Sequence, residues 1–222
     1  MPVTEFEIIR RYFQRQQTPR ADVIAGIGDD AALLQVPDGD TLVVCMDTLV
    51  EGVHFSPSAP AAAIGHKSLA VNLSDLAAMG ASPRWATLSV TLPGADPQWL
   101  EQFSQGFLRL ADTHTVQLVG GDTTRGPLSI TVQAHGTVPR GRALLRSGAQ
   151  AGDRVYVTGT LGDAGLALRA AGQGDAALQR RLDYPQPCIA AGLLLRDYAS
   201  AAIDVSDGLL VDLGHLLEGA GL

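Results

Sequence analysis

The stretch Gly120-Gly121-Asp122-Thr123-Thr124-Arg125-Gly126-Pro127 places two glycines, a carboxylate, two hydroxyls and a guanidinium between two apolar runs, Val116 to Val119 and Leu128 to Val132. Any fold of this chain has to hold that polar segment between a strand that enters it and a strand that leaves it. Glycine lets the chain turn sharply and lets another group approach the main chain. A carboxylate on such a turn can reach a cation, and the hydroxyls and guanidinium can reach phosphate oxygens. The same residue types also make an ordinary polar hairpin turn. The rest of the chain has to decide between the two.

With 222 residues, 46% apolar and 18% charged, the chain can build one large core or two modest ones. Its net charge of −7 and the lack of a basic run argue against nucleic acid as a partner. They also imply that any phosphate chemistry is mediated by cations. The acids are 18 Asp against 5 Glu, and Asp serves both turns and hard cations. Cys45 and Cys188 form neither a metal spacing nor a disulfide framework, which fits a reducing, cytoplasmic location. The N-terminus lacks a signal-peptide pattern, and no apolar run approaches a membrane span.

Thr4 to Gln14 reads as a short amphipathic helix with a Thr4/Glu7 capping box. Gly26-Ile27-Gly28-Asp29-Asp30-Ala31 matches the spacing of a dinucleotide fingerprint. Two carboxylates at the intervening positions suit a divalent cation better than a pyrophosphate, and Ala32 to Val36 suits a strand. Thr41 to Met46 is a strand that gives out at Asp47, with His54 following closely. Ile64 to Met79 is a helix with Leu69, Leu73 and Leu76 on one face and a bordering polar stripe of Ser68, Asn72 and Asp75; Gly80 terminates it. Strands follow at Trp85 to Leu92, Val116 to Val119 and Leu128 to Val138, and a helix opens at Asp96-Pro97. Pro139-Arg140-Gly141 marks a domain boundary, dividing the chain into 1–138 and 139–222. Beyond it, Arg154 to Thr158 reads as a strand leading by a glycine loop into a helix from Ala164 to Ala171. Ser200 to Val205 is a strand entering Ser206-Asp207-Gly208 and a final helix from Leu209 to Glu218. No P-loop pattern occurs.

Asp29-Asp30, Asp47, Asp75, Asp122, Asp204 and Asp207 thus recur at glycine turns, strand ends and a helix edge. If they share a cleft, their mutual repulsion calls for divalent cations, and so many carboxylates imply several ions and a highly anionic substrate.

The strings Gly26 to Ala31, Asp47 to Phe55, Lys67 to Gly80, Gly120 to Pro127, Arg146 to Ala149 and Asp204 to Leu209, in that order, closely resemble bacterial thiamine-monophosphate kinases. These belong to the wider superfamily of aminoimidazole ribonucleotide synthetase-like ATP-using proteins. The resemblance implies an α/β fold of the α+β type, with an N-terminal mixed sheet and flanking helices that dimerises through its sheet. A second α/β domain would follow, incomplete in this chain. It implies transfer of the ATP γ-phosphoryl group to thiamine monophosphate, giving thiamine diphosphate. Asp30, Asp47, Asp75, Asp122, Asp204 and Asp207 would hold Mg²⁺ ions. Gly121, Asp122, Arg146 and Ser206 would lie at ATP, and His54 at the thiamine substrate. An ionised phosphate oxygen can attack directly, so no general base is assigned. The partners expected are ATP, thiamine monophosphate and a second copy of the chain, with no nucleic acid and no membrane. Two departures stand out. Cys45-Met46 replaces the family's usual Ser-Thr pair, and family members run on beyond the position of Leu222, so a truncated chain is expected. The competing expectations are another ATP-dependent synthetase of the superfamily, or a non-catalytic Mg-nucleotide-binding module.

Overall fold

The computed structural model describes residues 4–14, 19–170 and 174–222. Its centre is a four-stranded sheet of β3 (Asp40–Val50), β4 (Ser82–Leu92), β5 (Gln117–Arg125) and β6 (Ser129–Pro139), in the order β3-β6-β4-β5. β6 pairs antiparallel with β3 and β4, while β4 and β5 run parallel. A parallel pair needs a long crossover, and α3 (Pro97–Thr113) supplies it. Asp96 caps α3 by accepting the N–H of Gln98 at 2.9 Å, with proline at the first helical position.

This topology overturns the hairpin reading of Gly120 to Pro127. Residues 120–125 lie within β5, and β5 and β6 do not pair, because β4 stands between them. The short link Gly126–Leu128 steps over the end of β4. Gly126 donates to the Leu92 carbonyl at 2.9 Å, and a Cβ on Gly126 would lie 2.9 Å from the Thr91 methyl. β5 also carries a bulge: Ala86 pairs with Leu118 but Thr87 pairs with Gly120, leaving Val119 as an extra residue.

α2 (Ala61–Ala78) and α3 cover one face of the sheet. Leu69, Leu73 and Leu76 of α2, Phe103 and Phe107 of α3, and Val90, Ile130 and Val132 of the sheet are completely buried there. The two helices approach backbone to backbone at paired glycines. A Cβ on Gly65 would lie 2.1 Å from the Phe103 carbonyl oxygen, and one on Gly106 would lie 2.0 Å from that of Ala62. The opposite face leaves Leu42, Val44 and Met46 of the edge strand 44%, 47% and 62% exposed.

The N-terminal capping box forms as expected: Glu7 returns to the Thr4 N–H at 2.8 Å. The helix is short, however; α1 (Glu5–Ile8) gives way to a π-helical turn over Ile9–Phe13. β1 (Val23–Ala25) then pairs antiparallel with β2 (Leu33–Leu34), so only two of the residues expected as a strand at 32–36 are one. This segment is clamped to the sheet by Asp22. Its carboxylate accepts from Arg20 at 2.7 and 2.9 Å, from Arg84 at 2.9 Å and from the Trp85 indole at 3.1 Å.

After β6 come a 3₁₀ turn at Arg146–Gly148 and the helices α4 (Asp163–Ala170), α5 (Ala176–Asp183), α6 (Ile189–Leu195) and α7 (Leu209–Ala220). The last residue of the helix expected at 164–171 lies outside the described residues. Gly192 of α6 meets the end of α2, where a Cβ would lie 2.1 Å from the Ala77 carbonyl oxygen. The strands expected at 154–158 and 200–205 do not form: among the described residues these segments pair with no strand. Val155 and Tyr156 are 60% and 82% exposed, so the β-branched and aromatic character there is not matched by a neighbouring strand. Among the described residues, no helix is long and apolar enough to cross a membrane.

Candidate functional site

The site is built at the seam where α2 lies against the edge strand β3. Strand alternation turns Val43, Cys45, Asp47 and Leu49 toward the helices, and Asp47 sits in mid-strand rather than at the strand end, because β3 runs on to Val50. The polar stripe of α2 faces the same seam. Ser68 and Asn72 are fully buried: the Ser68 hydroxyl donates to the Gly65 carbonyl at 2.9 Å, and the Asn72 amide donates to the Ser68 carbonyl at 3.1 Å. The Asn72 side-chain oxygen has no hydrogen-bond partner among the described residues. The Cys45 thiol donates to the Asn72 carbonyl at 3.3 Å. One turn further on, Asp75 emerges at the edge of the core, as its place on the stripe predicts.

Here the carboxylates press on one another. Burial, then the charges of Asp204 and Asp47, push Asp75 up to about 6, while a hydrogen bond with Cys45 and the Arg146 charge oppose the rise. Burial raises Asp47 as well, and a hydrogen-bonding interaction with Asp75 opposes the rise. Asp204 is raised by burial and by the Asp212 charge, and is held down by a hydrogen bond from Ser74 and by Arg146. The Cys45 thiol, half-buried beside Asp75 and Asp47, is pushed well above its ordinary range by burial and by those two charges, and stays protonated. His54 follows β3 and accepts the Val50 N–H on Nδ1 at 3.0 Å, which assigns the proton of the neutral ring to Nε2.

The remaining candidates lie apart from this cluster. Register places Asp47 in a row with Val132 and Leu88, and Asp122 in the next row with Ser89, Thr131 and Thr48. Adjacent rows point to opposite faces. Val132 and Leu88 are buried under the helices, whereas the Thr48 and Thr131 hydroxyls meet at 2.8 Å on the open face, where Asp122 is exposed. Asp30 is exposed in the β1–β2 loop, its N–H bonded to Asp29 Oδ1 at 2.8 Å; the loop begins at Gly26, whose Cβ would lie 3.8 Å from the Val119 carbonyl oxygen. Gly121 is required by β4 itself: its φ is +150°, and a Cβ there would lie 1.8 Å from the Leu88 carbonyl oxygen. Ser206 and Asp207 are exposed in the turn before α7.

Among the described residues, no three His, Cys, Asp or Glu side chains surround one ion-sized point. The Asp47–Asp75 pair nevertheless fits a cation. Two like charges held together favour one, and Mg²⁺ commonly takes one or two carboxylates, completing its shell with water and substrate phosphates.

The chain aligns over its whole length with thiamine-monophosphate kinase of Salmonella typhimurium, 54% identical over 230 residues and spanning 70% of that protein. The chain belongs to the thiamine-monophosphate kinase family. The Bacillus subtilis member is 38% identical across 96% of this chain and 70% of its own length. Residues 28–138 match the family described as AIR synthase related protein, N-terminal domain. The crystal structure of the thiamine-monophosphate kinase from Stenotrophomonas maltophilia K279a superposes with a TM-score of 0.87 at 51% identity, covering 96% of this chain and 70% of that one. The structure of AaThiL complexed with AMPPCP and TMP gives a TM-score of 0.77 at 33% identity, covering 97% and 69%. The mixed α/β architecture is therefore that of the kinase family.

Two residues at the site were not singled out by sequence. Ser74, beside Asp75 on α2, helps hold the Asp204 pKa down against burial. Asp212 is 3% exposed, and its Oδ2 accepts the N–H groups of Ser206, Asp207 and Gly208. An acid in the first turn of a helix was the available signal for Asp212; nothing local marks Ser74, since its partner lies far along the chain.

Proposed function

We propose that this chain carries out the ATP- and Mg²⁺-dependent phosphorylation of thiamine monophosphate to thiamine diphosphate by direct in-line transfer. The observation that carries this reading is the Asp47–Asp75 pair, joined by Asp204 and faced by Arg146, in a protein of this kinase family. Phosphoryl transfer asks a protein chiefly to position two anions and to balance their charge.

Asp47, Asp75 and Asp204 are the inner carboxylates for Mg²⁺, and Asp30, Asp122 and Asp207 are further ligands. When bound, Mg²⁺ supplies charge neutralisation at the phosphate oxygens. Arg146, whose charge already acts on Asp75 and Asp204, is the fixed fork for a phosphate. Gly121, Asp122 and Ser206 lie at the nucleotide, and His54, protonated on Nε2, offers a donor to the thiamine substrate. No side chain has to remove a proton from an attacking phosphate oxygen that is already ionised.

The chain works as a homodimer in this reading. Leu42, Val44 and Met46 provide an apolar surface on the open face of the sheet, and Asp122 lies on that same face, so a second copy docked there brings its own acidic seam toward Asp122. The division into 1–138 and 139–222 is supported by the family match ending at 138, and a cytoplasmic location by the free cysteines.

Calorimetry with ATP and Mg²⁺, followed by an assay for thiamine diphosphate formed from thiamine monophosphate, tests the proposal. Product formation that requires Mg²⁺ supports it. Nucleotide binding without turnover supports a Mg-nucleotide-binding module instead, and turnover of another phosphorylated substrate supports a different synthetase of the superfamily.

A further inference from the structure

We propose that Asp212 is the positioning residue of the Ser206–Asp207–Gly208 turn, holding it so that the Ser206 and Asp207 side chains face the magnesium nucleotide. This rests on the kinase reading above. Three successive N–H groups converge on one carboxylate oxygen, at 3.1 Å from Ser206, 3.2 Å from Asp207 and 3.1 Å from Gly208. Such a run of amides is a concavity that binds anions. Here the chain fills it from within, with a side chain that is 3% exposed. The consequence is specific: these amides are spent, so the turn offers a ligand no backbone N–H and meets it through oxygen atoms, among them the exposed Ser206 and Asp207 side chains.

The arrangement also explains how α7 begins. Gly208 precedes the helix at φ 113° and has no side chain to cap it. Asp212, in the first turn, lies where the helix dipole favours negative charge and reaches back to bond the residues before the helix. Charge matters as much as shape. All three bonds to the carboxylate oxygen are charge-assisted, whereas the amide oxygen of an isosteric Asn offers the same lone pairs without the net charge. Asp204 stands two residues before Ser206, so the clamp fixes the turn that leads out of the acidic seam.

Asp212→Asn in the full chain, followed by amide hydrogen exchange and calorimetry, tests this. The Ser206, Asp207 and Gly208 amides are expected to exchange faster while those of the sheet are unchanged. Affinity for Mg-ATP should fall about ten- to a hundredfold, the usual effect of removing a group that orients metal ligands. Affinity for ATP measured without Mg²⁺, to which the turn contributes Ser206 but no metal ligand, should fall by a smaller factor; a merely structural loss would lower both equally. Asp212→Glu, which keeps the charge but displaces it, should shift both readouts in the same direction and serves if the Asn variant does not fold. Unchanged exchange at the three amides overturns the clamp. Faster exchange with unaltered Mg-ATP affinity overturns its functional role. A wild-type chain that exchanges as expected but binds no Mg-ATP overturns the kinase reading and, with it, the functional half of this one.

Discussion

Asp47 and Asp122 belong to one sheet but stand on its opposite edges and opposite faces. Three strand spacings separate those edges, about 14 Å at the usual interval, and the helices cover only Asp47. One copy of the chain cannot close both carboxylates on one ion without a large rearrangement. Either variant, Asp47→Asn or Asp122→Asn, is expected to weaken Mg-ATP binding by at least about tenfold. Asp122→Asn should leave the melting temperature unchanged, because its side chain is exposed. Mixing and reassociating the two variants should restore binding at one of the two sites of a heterodimer. Mixtures no better than either variant alone would show that the two residues do not serve a shared site.

Asp75 predicts an unusual pH dependence. Its folded pKa, about 6, is raised from 3.8, so the folded state holds the proton more tightly than the unfolded state. The stabilisation is fully present below about pH 4 and is lost as pH rises through about 6, a loss of roughly 3 kcal/mol. Without divalent cations, Asp75→Asn should therefore be more stable than the wild-type chain at pH 7.5, and the difference should vanish near pH 4. Added Mg²⁺ should stabilise the wild-type chain more than the variant. Melting curves across this range, with and without Mg²⁺, decide the matter; a pH-independent difference would remove the charge argument.

Asp22 behaves in the opposite sense. Arg20 first, then Trp85 and Arg84, hold its pKa down from 3.8 to about 2. The stabilisation is present above about pH 4 and is lost as pH falls toward 2. Asp22→Asn should cost on the order of 2 kcal/mol at neutral pH by denaturant unfolding, with little further loss in acid compared with wild type. It should also loosen the β1–β2 segment that carries Asp30, which amide exchange would detect.

The glycine contact between α2 and α3 is a separate, purely structural prediction. Gly106→Ala puts a methyl 2.0 Å from the Ala62 carbonyl oxygen. Alanine favours a helix by about 1 kcal/mol over glycine, yet the clash with backbone should win, giving net destabilisation of about 1–3 kcal/mol. Gly165→Ala in α4, where a Cβ meets nothing, should stabilise instead. Equal effects at the two positions would show that the close approach does not matter.

The elements that could be read from sequence are those specified by their own residues. α2 announces itself through Leu69, Leu73, Leu76 and Gly80, and α3 through Asp96-Pro97. Asp75 was placed at the edge of the core because its stripe borders the apolar face. What could not be read depends on partners distant in sequence. Gly120 to Pro127 resembles a hairpin, and only the insertion of β4 between β5 and β6 makes it a strand and a crossing link. Residues 154–158 have strand-like side chains, but pairing is a property of neighbours rather than of the segment. At Gly121 the resemblance points to the nucleotide, and the structure adds a second demand that no local pattern reveals, room for the Leu88 carbonyl.

Val119 fixes a parity. With this one residue unpaired, Thr123 turns inward beside Val90 and is 8% exposed, while Asp122 turns to the open face beside Ser89. Were Val119 paired with Thr87 in place of Gly120, every later residue of β5 would slide by one: Asp122 would stand beside Val90, under the helices, and a charge would be driven into an apolar layer. The bulge is thus a shift of frame in space: one unpaired residue decides which face of the sheet carries the acid.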